Sequence, residues 1–411
     1  MQIAIMGFGT VGSGVAELFL KNKKSIVAKS SQPTLELKKI LDIRDFSNHS
    51  LASLFTADFN EILNDPTIGI VVETMGGLNP AYDYVSKCIK AGKSVVTSNK
   101  ELVAAKGCEL LKLAEDNNVN FLFEASVGGG IPIIRPINQC LAANEIDEIG
   151  GILNGTTNFI LKKMIDENMA FDAALKLAQA NGYAERDPSA DILGHDTARK
   201  ICILASLCFG KHVYPDSVET VGITEIAPED VEYAKSWGGV IKLIGRAKKF
   251  SSDKISATVG PCLIANHSQL ASVDDVFNAI IVRGDAIGDV VFYGRGAGKF
   301  PTASAVVADV IDCAKHTARR KMIGWEPAED NYVVDPLMQS SVLYVRATAE
   351  NYIAAYNAVN TAFENPTVLH REDEPQDEIA FVTPLMREKE AREQIAKLPV
   401  KVKNILRVMD Y

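Results

Sequence analysis

Glu185, Asp191, Asp196 and Lys200 stand within one polar run, Ala184-Glu185-Arg186-Asp187-Pro188-Ser189-Ala190-Asp191-Ile192-Leu193-Gly194-His195-Asp196-Thr197-Ala198-Arg199-Lys200. Asp196 and Lys200 are four residues apart, so on a helix they share a face. That face continues through Leu204 and Leu207, which are apolar. A lysine on such a face is partly desolvated. Desolvation lowers an ammonium pKa and suits the group to proton transfer near neutral pH. Glu185 and Asp196 are carboxylates fit to bind a substrate ammonium. The plainer alternative is a structural i, i+4 ion pair. His195 points about 100° round the helix and reads as structural or surface.

A second set lies at the start of the chain. Gly7-Phe8-Gly9-Thr10-Val11-Gly12 follows an apolar stretch and opens a helical one. The first glycine permits the tight turn, the second admits a pyrophosphate, and the third lets helix and strand pack closely. The helix N-terminus then offers free N–H groups and a favourable dipole to the phosphate. The next strand should end on a group that reads the ribose, and Asp42 and Arg44 stand there. An acid would favour NAD and an arginine NADP; the reading leans to NADP with NAD tolerated. Thr97-Ser98-Asn99-Lys100 ends a further strand. Ligands bind beyond such strand ends, so Lys100 is within reach of cofactor or substrate, or simply opens an exposed helix capped by Asn99.

These residues need elements to hold them. Apolar strand candidates Gln2–Met6, 35–43, 69–73, Ser94–Thr97 and 120–124 alternate with helical runs at 12–22, 80–91 and 100–117. That alternation argues a doubly wound parallel sheet of Rossmann type. Residues 135–302 read as an α+β substrate and dimerisation domain, with strands at 146–153, 240–250, 255–264 and 277–293. Its helices fall at 156–167, 171–180 and from Asp191 to about Gly210. A run at 303–320 is expected to fold back onto the first domain, 1–134, and 321–340 to be a linker. The segment 341–411 reads strand, helix, strand, strand, helix, strand, the ferredoxin-like order.

Composition limits the function classes. The 411 residues carry a net charge of −9, unsuited to gripping phosphate backbones. No run approaches the roughly 20 apolar residues of a membrane span. The seven cysteines are scattered and form no Cys-x-x-Cys pair, which argues a reducing, cytoplasmic setting without a zinc site.

Several blocks together resemble homoserine dehydrogenase: Gly7–Gly12, Thr97–Lys100, Glu124–Pro132, Gly151–Asn158, Gly182–Lys200, Gly294–Gly298 and Pro301–Ser304. The resemblance spans residues 1 to about 315. It implies NAD(P)-dependent interconversion of L-homoserine and L-aspartate 4-semialdehyde, in threonine, methionine and isoleucine biosynthesis. By the same resemblance, Lys200 is the acid/base, Lys100 contacts cofactor and takes part in proton transfer, and Asp191 is an acid near the reacting centre. Glu185, Asp196 and Gly182 would contact the substrate. Gly7, Phe8, Gly9, Thr10, Val11, Gly12, Arg44, Thr74, Lys100 and Gly298 would contact the cofactor. Glu124 with Val127, Gly129 and Ile131 would hold a sodium ion, and the enzyme would be a homodimer or larger homo-oligomer. The C-terminal segment resembles the ACT-like module often appended to this family. Its first strand–helix turn, Ala349-Glu350-Asn351-Tyr352, lacks the usual Pro-Gly, so threonine feedback is expected to be weak or absent. A non-catalytic nucleotide-binding regulator and a dehydrogenase for another amino acid are the competing readings.

Overall fold

The computed structural model describes residues 1–410. Two sheets carry the fold. The first is built from β1 (Gln2–Met6), β2 (Glu36–Leu41), β3 (Phe55–Thr56), β4 (Ile68–Glu73), β5 (Ser94–Thr97) and β6 (Phe121–Leu122). All pairs are parallel, in the order β3-β2-β1-β4-β5-β6. Alternate residues of β1 explain the two covered faces. Ile3 and Ile5 pack with Val15 and Phe19 of the helix Thr10–Lys21 and with Val306 and Val310 of Lys299–Lys315. Ala4 and Met6 face the other way, in the core that holds Val85 of Ala81–Lys90 and Leu102 of Lys100–Asp116. Strand order reverses between β1 and β4, the switch point where such sheets bind ligands.

The second sheet is mixed. It contains β7 (Ile146–Ile152), β8 (Glu219–Thr220), β9 (Gly239–Lys249), β10 (Ile255–Ala265), β11 (Phe277–Gly284), β12 (Gly288–Arg295), β13 (Ser340–Thr348), β14 (Thr367–Leu369), β15 (Glu378–Val382), β16 (Met386–Arg387) and β17 (Lys401–Met409). The path runs β12-β11-β7-β9-β10-β17-β13-β15-β14, with β8 added to β10 and β16 to β13. The last strands therefore continue the central sheet: Cys262, Leu263 and Ile264 of β10 lie parallel to Arg407, Val408 and Met409 of β17. One face of the C-terminal strands, through Leu343, Val345 and Phe381, packs on the helices Tyr352–Ala362 and Glu388–Ile395.

Several expectations change in detail. The run 277–293 is a hairpin, turned at Asp285-Ala286-Ile287 with Gly288 at φ +71°. The helix expected from Asp191 is two helices, Ser189–Ile192 and His195–Phe209, separated by Gly194 at φ +84°. The helix expected from 303 starts at Lys299. The segment 321–340 has no strand before Ser340, yet it is closely packed. Trp325 is buried and its Nε1 donates to His212 Nδ1 at 2.7 Å. Gly107 explains that approach, since a Cβ there would stand 2.7 Å from the Trp325 ring. The helix Pro228–Trp237 was not anticipated. Pro228 at its first position and Asp230, whose Oδ2 accepts from Ala227 N at 3.0 Å, are start signals the sequence does carry. Among the described residues, no helix is long and apolar enough to cross a membrane.

Candidate active site

The two lysines of the sequence meet on one carboxylate. Asp196 opens the helix His195–Phe209, and its Oδ2 takes the Lys200 ammonium at 2.8 Å. Its Oδ1 takes the Lys100 ammonium, also at 2.8 Å. Lys100 starts its own helix beyond β5, where Asn99 caps it by accepting from Leu102 N at 3.1 Å. The helix positions converge because β7 ends beside them. Lys200 Nζ donates to Leu153 O at 2.7 Å, and the next residue, Asn154, caps the helix Gly155–Glu167.

Asn154 is the residue that sequence reasoning left without a role. Its Oδ1 accepts from Thr157 N at 2.9 Å, as a helix cap does. Its Nδ2 then donates to Asp191 Oδ1 at 2.6 Å and to Asp196 Oδ2 at 2.9 Å. One amide thus joins both aspartates. The Asn-Gly-Thr-Thr-Asn block was the available signal.

Burial and charge set the protonation of the cluster. Burial lowers the Lys200 ammonium, opposed by Asp196. Lys100, at the rim with a side chain 39% exposed, is raised by the Asp196 charge. Burial pushes Asp196 up, but the Lys200 and Lys100 ammoniums outweigh it and hold the carboxyl below its ordinary range. Asp191 is raised by burial, with the Asn154 hydrogen bond acting against that. Burial thus disfavours the charged form of Lys200, while Asp196 favours the charged form of Lys100.

Glu185 and Gly182 lie on the exposed loop that leads to Asp191. Gly182 has φ +72° with open space where a Cβ would stand. The Glu185 carboxylate makes no hydrogen bond or ion pair among the described residues, and its main-chain O accepts from Gln179 at 3.0 Å. His195 is exposed.

The glycine loop follows the expected mechanics. Gly7 has φ +92°, and a Cβ on Gly12 would collide with Gly7 O. A Cβ on Gly9 would meet nothing within 4 Å. Thr74 ties the loop to the adjacent strand, its hydroxyl donating to Gly7 O at 2.8 Å. Asp42 Oδ2 accepts from Phe8 N at 2.7 Å. Arg44 pairs with the same carboxylate through Nε at 2.9 Å and Nη2 at 2.8 Å, and its guanidinium lies 5.2 Å from the Phe46 ring centre. Gly7, Phe8, Gly9, Asp42, Arg44 and Thr74 border a cavity of about 340 Å³. Glu73, a second residue without an assigned role in the sequence, is buried at the end of β4. It accepts from Thr97 Oγ1 at 2.5 Å and from Met75 N at 2.7 Å, fixing the loop after Thr74.

Two glycine runs, 128–130 and 294–298, face each other. A Cβ on Gly129 would strike Gly296 O, and Gly130 N donates to Arg295 O at 3.0 Å. Gly298, at φ +124°, leads into the helix Lys299–Lys315. Glu124 is buried; Oε1 accepts from Ile133 N at 2.6 Å and Ile134 N at 2.8 Å, and Oε2 from Arg135 N at 2.9 Å.

Known proteins resemble this chain over most of its length. Residues 132–311 match the family model described as homoserine dehydrogenase, and 7–124 the model described as homoserine dehydrogenase, NAD binding domain. The chain belongs to the homoserine dehydrogenase family. A homoserine dehydrogenase of Synechocystis is 42% identical over 82% of this chain and 77% of its own length. The crystal structure of a homoserine dehydrogenase from Thiobacillus denitrificans superposes with a TM-score of 0.90 at 35% identity, covering 100% of this chain and 98% of that one. A hyperthermophilic archaeal homoserine dehydrogenase in complex with NADPH has a TM-score of 0.65 at 30% identity, covering 76% of this chain and 97% of that one. The activity is that of the family: an NAD(P)-dependent oxidoreductase interconverting L-homoserine and L-aspartate 4-semialdehyde, on the route to threonine, methionine and isoleucine.

Proposed function

We propose that Lys200 moves the proton while Lys100 and Asp196 hold it in place. The observation that carries this reading is the pair of ammoniums on opposite oxygens of the buried Asp196 carboxylate. Bound NAD(P)H supplies the hydride to the aldehyde carbon, and NAD(P)⁺ removes it in the reverse direction. Lys200 uses two of its three N–H donors on Leu153 O and Asp196, leaving one for the substrate oxygen. In reduction it protonates the developing alkoxide. In oxidation it must first be neutral, and burial favours that form. Lys100 stays charged and fixes Asp196.

Glu185 and Asp196 take the substrate ammonium. A carboxylate has about four acceptor sites, and Asp196 uses three, on Lys100, Lys200 and Asn154. Asp191 orients the reacting end, and Gly182 leaves room beside Glu185. Gly7, Phe8, Gly9, Thr10, Val11 and Gly12 cradle the pyrophosphate, with Thr74, Lys100 and Gly298 at the nicotinamide side. Arg44 reads a ribose 2′-phosphate, so NADP(H) is preferred and NAD(H) accepted; the archaeal relative bound to NADPH supports that order.

A sodium ion fits the turn at 124–131. The carbonyl oxygens of Val127, Gly129 and Ile131 accept no hydrogen bond among the described residues, and Glu124 retains one acceptor site beyond its three amides. Oxygen donors of this kind suit a hard cation, which would stiffen the turn opposite Gly296. The domain division 1–134, 135–302, 321–340 and 341–411 stands as part of this reading. The last unit is placed with ACT-like modules, on its strand order β17-β13-β15-β14 and its two helices on one face. Without Pro-Gly after β13, its response to threonine is weak. A homodimer is proposed on edge strand β12, where Val291 is 37% and Tyr293 57% exposed. A cytoplasmic setting agrees with seven cysteines, none of them paired.

The test is Lys200→Ala. Turnover with homoserine and NADP⁺ should fall about 10²–10⁴-fold, the usual scale for a positioned acid/base, with NADPH binding retained. Turnover within a few-fold of the parent removes Lys200 from the mechanism.

A further inference from the structure

The segment between Glu219 and Glu232 is gripped at both ends by the C-terminal strands. At one end, Glu219 of β8 pairs with Arg407 of β17, Oε2 to Nη2 at 2.5 Å. At the other, the buried Asp230 takes Arg346 Nε of β13 at 2.7 Å, Tyr344 Oη at 3.0 Å and Asn404 Nδ2 of β17 at 2.9 Å. Arg371 adds a bond to Glu232 at 2.8 Å. The middle of the same segment is the bed of the Asp191 turn. Ile223 N donates to Ile192 O at 2.9 Å. Gly222 lies so close that a Cβ would strike Ile192 O and stand 2.7 Å from Leu193 Cα. Gly194, where the helix breaks, is less crowded but still close to this segment: a Cβ there would stand 3.0 Å from Thr220 Cγ2.

We propose that Glu219 and Arg407 are positioning residues for Asp191, so that the C-terminal strands set the geometry of the acid they never touch. The physical route is short. Arg407 fixes Glu219, β8 lies in register on β10 through Thr258 and Val259, and Gly222 and Ile223 just beyond it carry the floor under Ile192. Arg407 is itself held by Glu388 at 2.8 Å, at the start of the last helix, so β17 and that helix together hold Glu219. This rests on the role given to Asp191 above.

Glu219→Gln is the clean variant. It removes the charge from a partly exposed side chain while Arg407 keeps Glu388, so folding is not at risk. Coupling of this kind is worth about 0.5–2 kcal/mol; we expect kcat with homoserine to fall about 2- to 30-fold. NADPH Kd should be unchanged and Tm should hold. The acid limb of the kcat–pH profile should shift as it does in Asp191→Glu, a change that mere loss of stability would not produce. Gly222→Ala, pressing on Ile192 directly, should give the same limb shift. Asp191→Asn separates the two claims. If it leaves kcat unchanged, the role of Asp191 fails. If it lowers kcat while Glu219→Gln leaves kcat and the pH profile at parent values, the positioning proposal is overturned.

Discussion

At the scale of single residues, the site separates two lysines by their surroundings. Lys200 is lowered by burial and Lys100 raised by Asp196, although both touch the same carboxylate. Homoserine oxidation needs neutral Lys200, so kcat in that direction should rise with pH and level off below the ordinary lysine range. The acid limb, a second break at lower pH than the Lys200 rise, is assigned to Asp191, which burial raises and Asn154 holds down. Asn154→Ser keeps a helix cap but loses the Nδ2 donor. Asp191 should then rise further, and the acid limb of kcat should move to higher pH; an unmoved limb would show that the amide does not tune this acid. Arg44→Ala should weaken NADP(H) more than NAD(H), because a guanidinium–phosphate pair exists only with the phosphorylated cofactor. Equal losses, measured by cofactor titration, would show that Arg44 does not read the ribose. The charged members of this site were legible, since a lysine and an acid four apart announce a shared face. Asn154 was not, because a capping asparagine looks the same in sequence whether or not its free amide joins two aspartates.

At the scale of elements, the glycine loop illustrates what sequence determines well. Gly12 has one backbone neighbour, Gly7 O, that leaves no space for a side chain, and Thr74 Oγ1 would stand 2.8 Å from a Cβ. Gly12→Ala must push the helix Thr10–Lys21 off β1, at a cost of about 1–3 kcal/mol. NADPH affinity should drop by tenfold or more, whereas Tm should change by a few degrees only. Affinity within twofold of the parent, read by NADPH fluorescence, would mean the loop absorbs the methyl. Elements set by local pattern were readable in this way, and Ser94–Thr97 and Phe171–Ala180 fall where periodicity puts them. Those set by tertiary contact were not. β3 has two residues and exists only because Ile40 and Leu41 of β2 offer an edge. The split of 277–293 turns on a few residues between two apolar stretches, which continuous hydrophobicity conceals. The break at Gly194 is a left-handed turn with Thr220 and Val259 lying where a Cβ would stand, neighbours that are distant in sequence.

At the scale of the whole molecule, the C-terminal segment is less separable than its pattern suggests. A strand–helix order that reads as an independent unit is joined to the central sheet through β10 and β17. Ending the chain near residue 335 would leave the β10 edge unpaired at Cys262–Ile264, an invitation to aggregation. It would also remove Arg346 and Tyr344 from Asp230, which is 0% exposed. Breaking a buried pair by deleting one partner costs about 3–5 kcal/mol, a large share of the ~5–15 kcal/mol that holds a typical domain folded. The truncated chain should therefore be insoluble, or melt well below the intact protein and lose turnover with it. The intact chain should unfold in a transition that the sheet shares, with tryptophan fluorescence from Trp237 and Trp325 and far-UV circular dichroism changing together. Asp230→Asn in the full chain distinguishes the causes: it keeps the β10–β17 pairing but weakens the charge pair with Arg346, and should lower Tm without loss of solubility. A soluble chain ending at 335, with parental Tm and turnover, would show that the shared sheet contributes nothing to the catalytic body.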